Sequence, residues 1–212
     1  MALILHGYRY SVYQRIARLA LAEKGVAYER VEVNPFAPDV PAAYLALHPF
    51  GRVPALVHDG FALYETAAIT RYIDRAFPGP ALQPAEPRAL ARMDQIIGVV
   101  DAYAYWPLVR QVFSHGVFRP RAGQPGDEAE VAKGLAAAVK VLAALEALMM
   151  ADAAFLVGPS LSLGDLHLGA MLAYFVQAGE GDALVHERVR LADWWQRLRR
   201  RPSFAATDPG LP

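Results

Sequence analysis

The chain has 212 residues, 55% of them hydrophobic, and its 21 basic residues are balanced by 21 acidic ones. That is enough apolar material for one large core or two small ones, and without a broad basic field nothing drives phosphate binding, which argues against a nucleic-acid partner. The chain has no cysteine, which excludes disulfides, thiolate-bound metals and a protein-borne thiol nucleophile, so any sulfur chemistry must arrive with a substrate.

The opening MALIL is too short for a signal-peptide core and reads as a strand over Leu3 to His6. Val12 to Lys24 reads as a helix with Ile16, Leu19 and Ala20 on one face and Gly25 as its stop. Tyr28 to Val33 suggests a second strand, and the order strand–helix–strand implies a parallel pair with a crossover helix. Asn34 to Pro41 is a Pro- and Asp-containing loop, followed by a short helix near Ala42 to Leu47. Ala55 to His58 and Phe61 to Tyr64 flank Asp59-Gly60, a strong signal for a two-residue hairpin turn. Glu65 to Phe77 carries Ile69, Tyr72, Ile73, Ala76 and Phe77 at helical spacing.

Pro78, Gly79, Pro80, Pro84 and Pro87 then mark a linker, giving domains over residues 1–78 and 89–212 with residues 79–88 between them. Beyond Ala89 no strand pattern is visible. Helical patterns cover Ala89 to about Phe118, Asp127 to Met150, Leu163 to Gln177 and Leu191 to Arg200. The Ala/Leu-rich stretch from Leu135 to Val157 is interrupted by Lys140 and Glu146, so it reads as a soluble core helix and a loop, with no membrane partner expected and a cytoplasmic location by default. Arg197, Arg199, Arg200 and Arg201 read as the solvated face of a terminal helix. Six scattered histidines show no ligand spacing, so no metal is expected.

Three local features concern chemistry, and each has an ordinary structural reading beside it. Ser11 directly precedes the first helix: it is a natural N-cap, and equally a hydroxyl placed where a helix favours anions. Val53-Pro54 stands before a strand, where proline is common because it has no ladder donor; a cis bond there would turn the backbone groups of Val53 outward to pair with an extended peptide. Glu65-Thr66 lies at a strand-to-helix turn. Thr66 can serve as a cap, or the free amides and hydroxyl can hold a carboxylate beside Glu65, which can hold an ammonium group. The last arrangement describes a receptor for the head of an amino acid.

The run HPFGRVPALVHDGFALYETAAITRYI, His48 to Ile73, resembles the glutathione-binding half of glutathione transferases, which carry N-P-x-G-x-V-P-x-L, a hairpin, then an acidic residue or Gln followed by Ser or Thr and a helix. SVYQRIARLALAEKG, Ser11 to Gly25, resembles the first helix of the serine-type classes (theta, phi and related bacterial forms). Ser162-Leu163-Gly164-Asp165 with Leu166-His167-Leu168 resembles the family's buried helix cap. Its own physics is that of a capping box with Asp in place of Glu, serving folding, with Leu168, Met171, Leu172 and Phe175 facing a core. The resemblance spans nearly the whole chain.

It implies an α/β plus all-α fold: a thioredoxin-like N-terminal domain (βαβ–ββα) that binds glutathione as co-substrate, and a C-terminal helical bundle. Ser11 would donate a hydrogen bond to the glutathione sulfur, Val53 would pair with the cysteinyl backbone with Pro54 cis, Glu65 and Thr66 would hold the γ-glutamyl end, and Arg52 would contact the tripeptide. Where phi-class relatives carry a His-Lys pair for the glycyl carboxylate, this chain has Asp39 and Val40, so that role falls to Arg52 or His48. Tyr8, Tyr10 and Tyr13 surround Ser11, and other classes use a tyrosine as activator. Asp101 is either a solvated helix charge or a contact for the glutathione amine across a dimer. Tyr105, Trp106, Val109 and Phe113 are either core or the lining of a pocket for a small hydrophobic electrophile. The resemblance also implies a homodimer. A glutathione-dependent peroxidase, isomerase or dehalogenase, or a non-catalytic binding relative, would use the same framework.

Overall fold

A computed structural model describes residues 2–212. The chain divides into two compact units: one runs to Ala81 and takes in Ala206–Pro209, the other comprises Leu82–Ala205 and Gly210–Pro212.

The first unit is built from β1 (Leu3–Gly7), α1 (Val12–Lys24), β2 (Glu29–Glu32), α2 (Ala42–Leu45), β3 (Ala55–His58), β4 (Phe61–Tyr64) and α3 (Thr66–Ala76). The sheet order is β2-β1-β3-β4, with β1 and β2 parallel and the other two pairs antiparallel. This is the expected βαβ–ββα arrangement. Leu3 and Leu5 of β1, Ile16, Leu19 and Ala20 of α1, and Ile69 and Ile73 of α3 are buried, as alternation in a strand and the helical period require. A second cluster, Val33, Tyr44 and Ala55, packs with Val31, Val40, Leu47 and Val53. The strand expected over Tyr28 to Val33 is trimmed to an exposed edge strand, Glu29–Glu32, and the short helix ends at Leu45.

Local chemistry explains the turns. Gly25 ends α1 at φ 68°, and the Val26 N–H reaches back to the Leu21 carbonyl at 2.9 Å, satisfying carbonyls the helix leaves open. Asp59 and Gly60 both have positive φ, 48° and 87°, which a two-residue type I′ hairpin turn demands. Lys24 is buried and spreads its ammonium group over Asp74 (3.1 Å to Oδ1, 3.0 Å to the carbonyl) and the Pro80 carbonyl at 3.1 Å, fastening the end of α1 to the end of α3 and the chain beyond it.

The second unit holds α4 (Pro87–Val99), a wide-turn continuation over Val100–Phe118, the short α5 (Arg119–Arg121), then α6 (Glu128–Leu148), α7 (Leu163–Phe175), α8 (Gly179–His186), α9 (Val189–Leu198) and the start of α10 (Pro202–Ala206). The helix expected to reach Phe118 does so, but with i→i+5 bonding: the Arg119 N–H meets the Ser114 carbonyl. Val100, Ala104, Leu108 and Val112, four positions apart, are its fully buried side. Pro107 lies within it and has no N–H to contribute; such winding is rare and usually confined to a single turn. The helices α8 and α10 had no sequence signal, being too short to display a period, and α8 carries two glycines in its first three residues.

The cap of α7 is a fully buried carboxylate. Asp165 accepts from the Leu156 N–H (2.9 Å), the Trp194 indole N–H (2.7 Å), and both the N–H (2.8 Å) and hydroxyl (2.6 Å) of Ser162. Burial pushes its pKa above the usual carboxylate range, while these hydrogen bonds hold it down.

Candidate functional site

Strand order gathers the sequence features of the first unit at one end of the sheet. Ser11 follows the C-terminal end of β1. His6 of β1 pairs with Ala55, so Val53-Pro54 enters β3 beside that end, and Ala55 pairs with Tyr64, so Glu65 leaves β4 at the same place. Residues more than fifty positions apart thus share one edge.

Ser11 is the N-cap of α1. Its hydroxyl oxygen accepts the Gln14 N–H at 3.3 Å, and its own N–H is held by the Tyr8 carbonyl at 2.9 Å. Among the described residues its hydroxyl hydrogen has no acceptor. Tyr8 is packed edge-on against Tyr10 and Phe36, with ring centroids 5.6 and 5.9 Å away. Burial, and then Tyr10 and Glu32, push its phenol above its ordinary pKa.

The Val53–Pro54 bond is cis. Val53 turns its side chain toward the Val33–Tyr44–Ala55 cluster, and among the described residues its backbone N–H and C=O have no hydrogen-bond partner. The preceding turn is fixed by the Gly51 N–H bonded to the His48 carbonyl at 2.9 Å, with Gly51 at φ 61°, and the Tyr44 hydroxyl donates to the Arg52 carbonyl. The Arg52 side chain is exposed.

Glu65 stands at φ 70° and ψ 115°, outside the regions ordinary residues prefer. Holding a non-glycine residue there costs about 1–3 kcal/mol, and such positions cluster at functional sites. Its conformation starts α3 with no side-chain cap, unlike α1, α4 and α6, whose first amides are met by Ser11, Glu86 and Asp127. Thr66, at the first helical position, is buried.

His48 is only 3% exposed. It stacks on Tyr64 with a centroid distance of 4.7 Å and meets Phe50 edge-on. Its Nδ1 is buried without a hydrogen-bond partner among the described residues. Burial lowers its pKa; Glu65 opposes this and Arg52 adds to it. A histidine whose folded pKa lies below its unfolded value of about 6.5 contributes stability above that pH and loses it as the pH falls through the folded pKa. The unfolding midpoint is expected to fall between pH 7.5 and pH 5, and to fall less in a His48→Asn chain. Equal slopes in the two chains would show that His48 is not the group responsible.

Asp101, Tyr105 and Val109 belong to the wide-turn segment of the second unit. Asp101 is partly exposed, and its Oδ1 lies 3.9 Å from Nδ1 of the fully buried His167. Val109 and Phe113 are buried in the bundle, and Trp106 is 59% exposed. Among the described residues no group of His, Asp or Glu is placed to hold a metal ion, and no helix is long and apolar enough to cross a membrane. The sequence did not point to Arg9 and Arg18, which bind the carbonyls of Pro209, Thr207 and Ala206; no motif marks partners nearly two hundred residues apart.

The N-terminal-domain model of glutathione S-transferases matches residues 5–81, and the C-terminal-domain model of the same family matches residues 128–197. Glutathione S-transferase F13 of Arabidopsis thaliana is 31% identical, over 100% of this chain and 97% of its own length. The solved structure of glutathione S-transferase III in its apo form superposes with a TM-score of 0.84 at 32% identity, covering 100% of this chain and 98% of its own. A theta-class glutathione S-transferase from Xanthomonas axonopodis pv. citri, solved with glutathione bound, gives a TM-score of 0.78 at 30% identity over 97% of this chain and 96% of its own. The chain belongs to the glutathione S-transferase family, with a thioredoxin-like first domain and a helical second one.

Proposed function

We propose that the chain is a glutathione transferase in which Ser11 activates the thiol of glutathione held along the end of the first unit's sheet. The observation that carries this is the Ser11 hydroxyl: its oxygen is taken by the helix, and its hydrogen is left to point at a sulfur. The γ-glutamyl carboxylate is received by the uncapped start of α3 and Thr66, and the neighbouring ammonium by Glu65. The cysteinyl backbone pairs with the open N–H and C=O of Val53 as an added strand, and Arg52 takes the glycyl carboxylate.

The energetics suffice without a general base. Lowering a thiol pKa from about 8.5 by about two units needs roughly 2.7 kcal/mol of preference for the thiolate. A hydrogen bond to a charged group supplies about 1.5–3 kcal/mol, and a helix N-terminus about 0.3–1 kcal/mol. The thiol proton leaves to solvent. The thiolate then forms a carbon–sulfur bond with the electrophile, whose leaving group departs with the electron pair of the bond that breaks. The aromatic cluster Tyr8–Tyr10–Phe36, with Phe36 64% exposed, supports a small apolar electrophile as second substrate. A homodimer and a cytosolic setting belong to the same reading; the exposed Phe50, at 71%, is an apolar side chain available to an interface.

Calorimetric titration with glutathione, paired with conjugation of a generic aryl halide, tests the function. No binding at millimolar glutathione would overturn it. A Glu65→Gly chain separates binding from folding. Glycine tolerates positive φ, so stability is expected to stay within about 1 kcal/mol of the parent, while the KM for glutathione rises about tenfold, the loss of roughly one charged contact. An unchanged KM would remove Glu65 from the site.

A further inference from the structure

The four-residue connection from β1 to α1, Tyr8 to Ser11, delivers the proposed activator. Its ends are fixed by the strand and the helix. Its middle is held by Arg9, whose hydrogen bonds are made to parts of the chain remote in sequence. The Arg9 N–H donates to Glu32 Oε1 at 2.7 Å. Its guanidinium donates from Nε (3.0 Å) and Nη2 (2.8 Å) to the carbonyl of Pro209, and lies 5.3 Å over the ring of Tyr10, the residue before Ser11. The segment that supplies this carbonyl is itself anchored on α1. Arg18, nearly buried, donates to the Thr207 carbonyl at 3.0 Å and the Ala206 carbonyl at 3.3 Å, and Thr207 is 3% exposed.

We propose that Ala206–Pro209 is a strap that sets the position of Ser11, and that Arg9 is the positioning residue through which it acts. The proposal rests on Ser11 being the thiol activator. Arg18 seats the strap on the helix that Ser11 caps, and Arg9 ties the loop to the seated strap. Both the N-cap residue and its own helix are thereby referenced to one fixed segment. A hydrogen bond from the Ser11 hydroxyl to a sulfur depends steeply on angle and distance, so slack in this loop weakens thiolate stabilisation while leaving the rest of the peptide-binding edge intact. The forked guanidinium makes two bonds to one carbonyl while lying on a ring, which a lysine ammonium cannot reproduce.

The test uses the pH dependence of aryl-halide conjugation, which reports the pKa of the bound thiol, together with the Kd for glutathione. Arg9→Ala, Arg9→Lys and a chain stopped after Asp208, which keeps Arg9 but removes the Pro209 carbonyl, are compared with the parent and with Ser11→Ala. In all three the thiol pKa is expected to rise by about 0.5–1 unit, a threefold to tenfold loss of rate below neutrality, with the Kd for glutathione changed less than about twofold. A lowered melting temperature with an unmoved pH profile would make the strap merely structural and overturn the proposal. So would a shift in Arg9→Ala alone, which would mean that the charge and not the strap matters. If Ser11→Ala itself leaves the thiol pKa unmoved, the reading of Ser11 fails instead, and the strap has no activator to position.

Discussion

Replacing Ser11 by alanine is expected to slow conjugation about tenfold to a hundredfold near pH 6.5, because the charged hydrogen bond it removes is worth about 1.5–3 kcal/mol. The loss has a characteristic shape. The thiol pKa of bound glutathione rises by about one to two units, so the rate recovers as the pH is raised, and most of the deficit disappears above the new pKa. The Kd for glutathione is expected to change little, since the carboxylate and ammonium receptors proposed above are Glu65, Thr66 and Arg52. Alanine also removes the N-cap bond to Gln14, which costs about 1 kcal/mol of stability. A Ser11→Thr chain retains a hydroxyl and an N-cap and separates the two effects: it is expected to recover stability and part of the rate. A Ser11→Ala chain with the parent's pH profile would show that the thiolate is stabilised by another group.

The largest expected effect on folding is at Asp165. Alanine there strips the acceptor from four buried donors at once, on Leu156, Trp194 and twice on Ser162. Leaving buried donors unpaired costs about 1–3 kcal/mol each when taken singly; because they share one carboxylate the effects do not add, and the total expected is about 3–5 kcal/mol, typical of a broken buried network. For a chain of this size that is a fall in melting temperature on the order of 10 °C. Asp165→Asn keeps the shape but puts two N–H donors where only donors arrive, so it is expected to be destabilised as well. A melting curve for Asp165→Ala within about 1 kcal/mol of the parent would show that the network is not what holds α7 in place.

What could be read from the sequence was what is decided within a few residues. The Asp59-Gly60 turn, the Gly25 stop, the helical faces of α1 and α3 and the Ser162–Asp165 cap each follow from local sterics and short-range hydrogen bonds, and each is present. The cis form of Val53–Pro54 came from family resemblance, since the intrinsic preference of any X–Pro bond is trans. The helix from Ala89 to Phe118 is legible as a helix, but its winding is not. The segment Val100–Phe118 is helical but not wound at 3.6 residues per turn, and α8 and α10 are too short to carry a period.

Only the tertiary structure decided the rest. The order β2-β1-β3-β4 sets Ser11, Val53 and Glu65 side by side, because pairing registers alone fix which strand ends meet. It enclosed His48 among aromatic rings, where burial lowers its pKa, and it turned Asp101 toward His167. It also brought Pro209 to Arg9 across two hundred positions of sequence. Such contacts leave no local mark: the donors are ordinary surface-type arginines and the acceptors are backbone carbonyls that every residue possesses. By itself, then, the sequence determined the turns, caps and helix faces that local forces control, and the fold determined which of those local pieces meet at one end of the sheet.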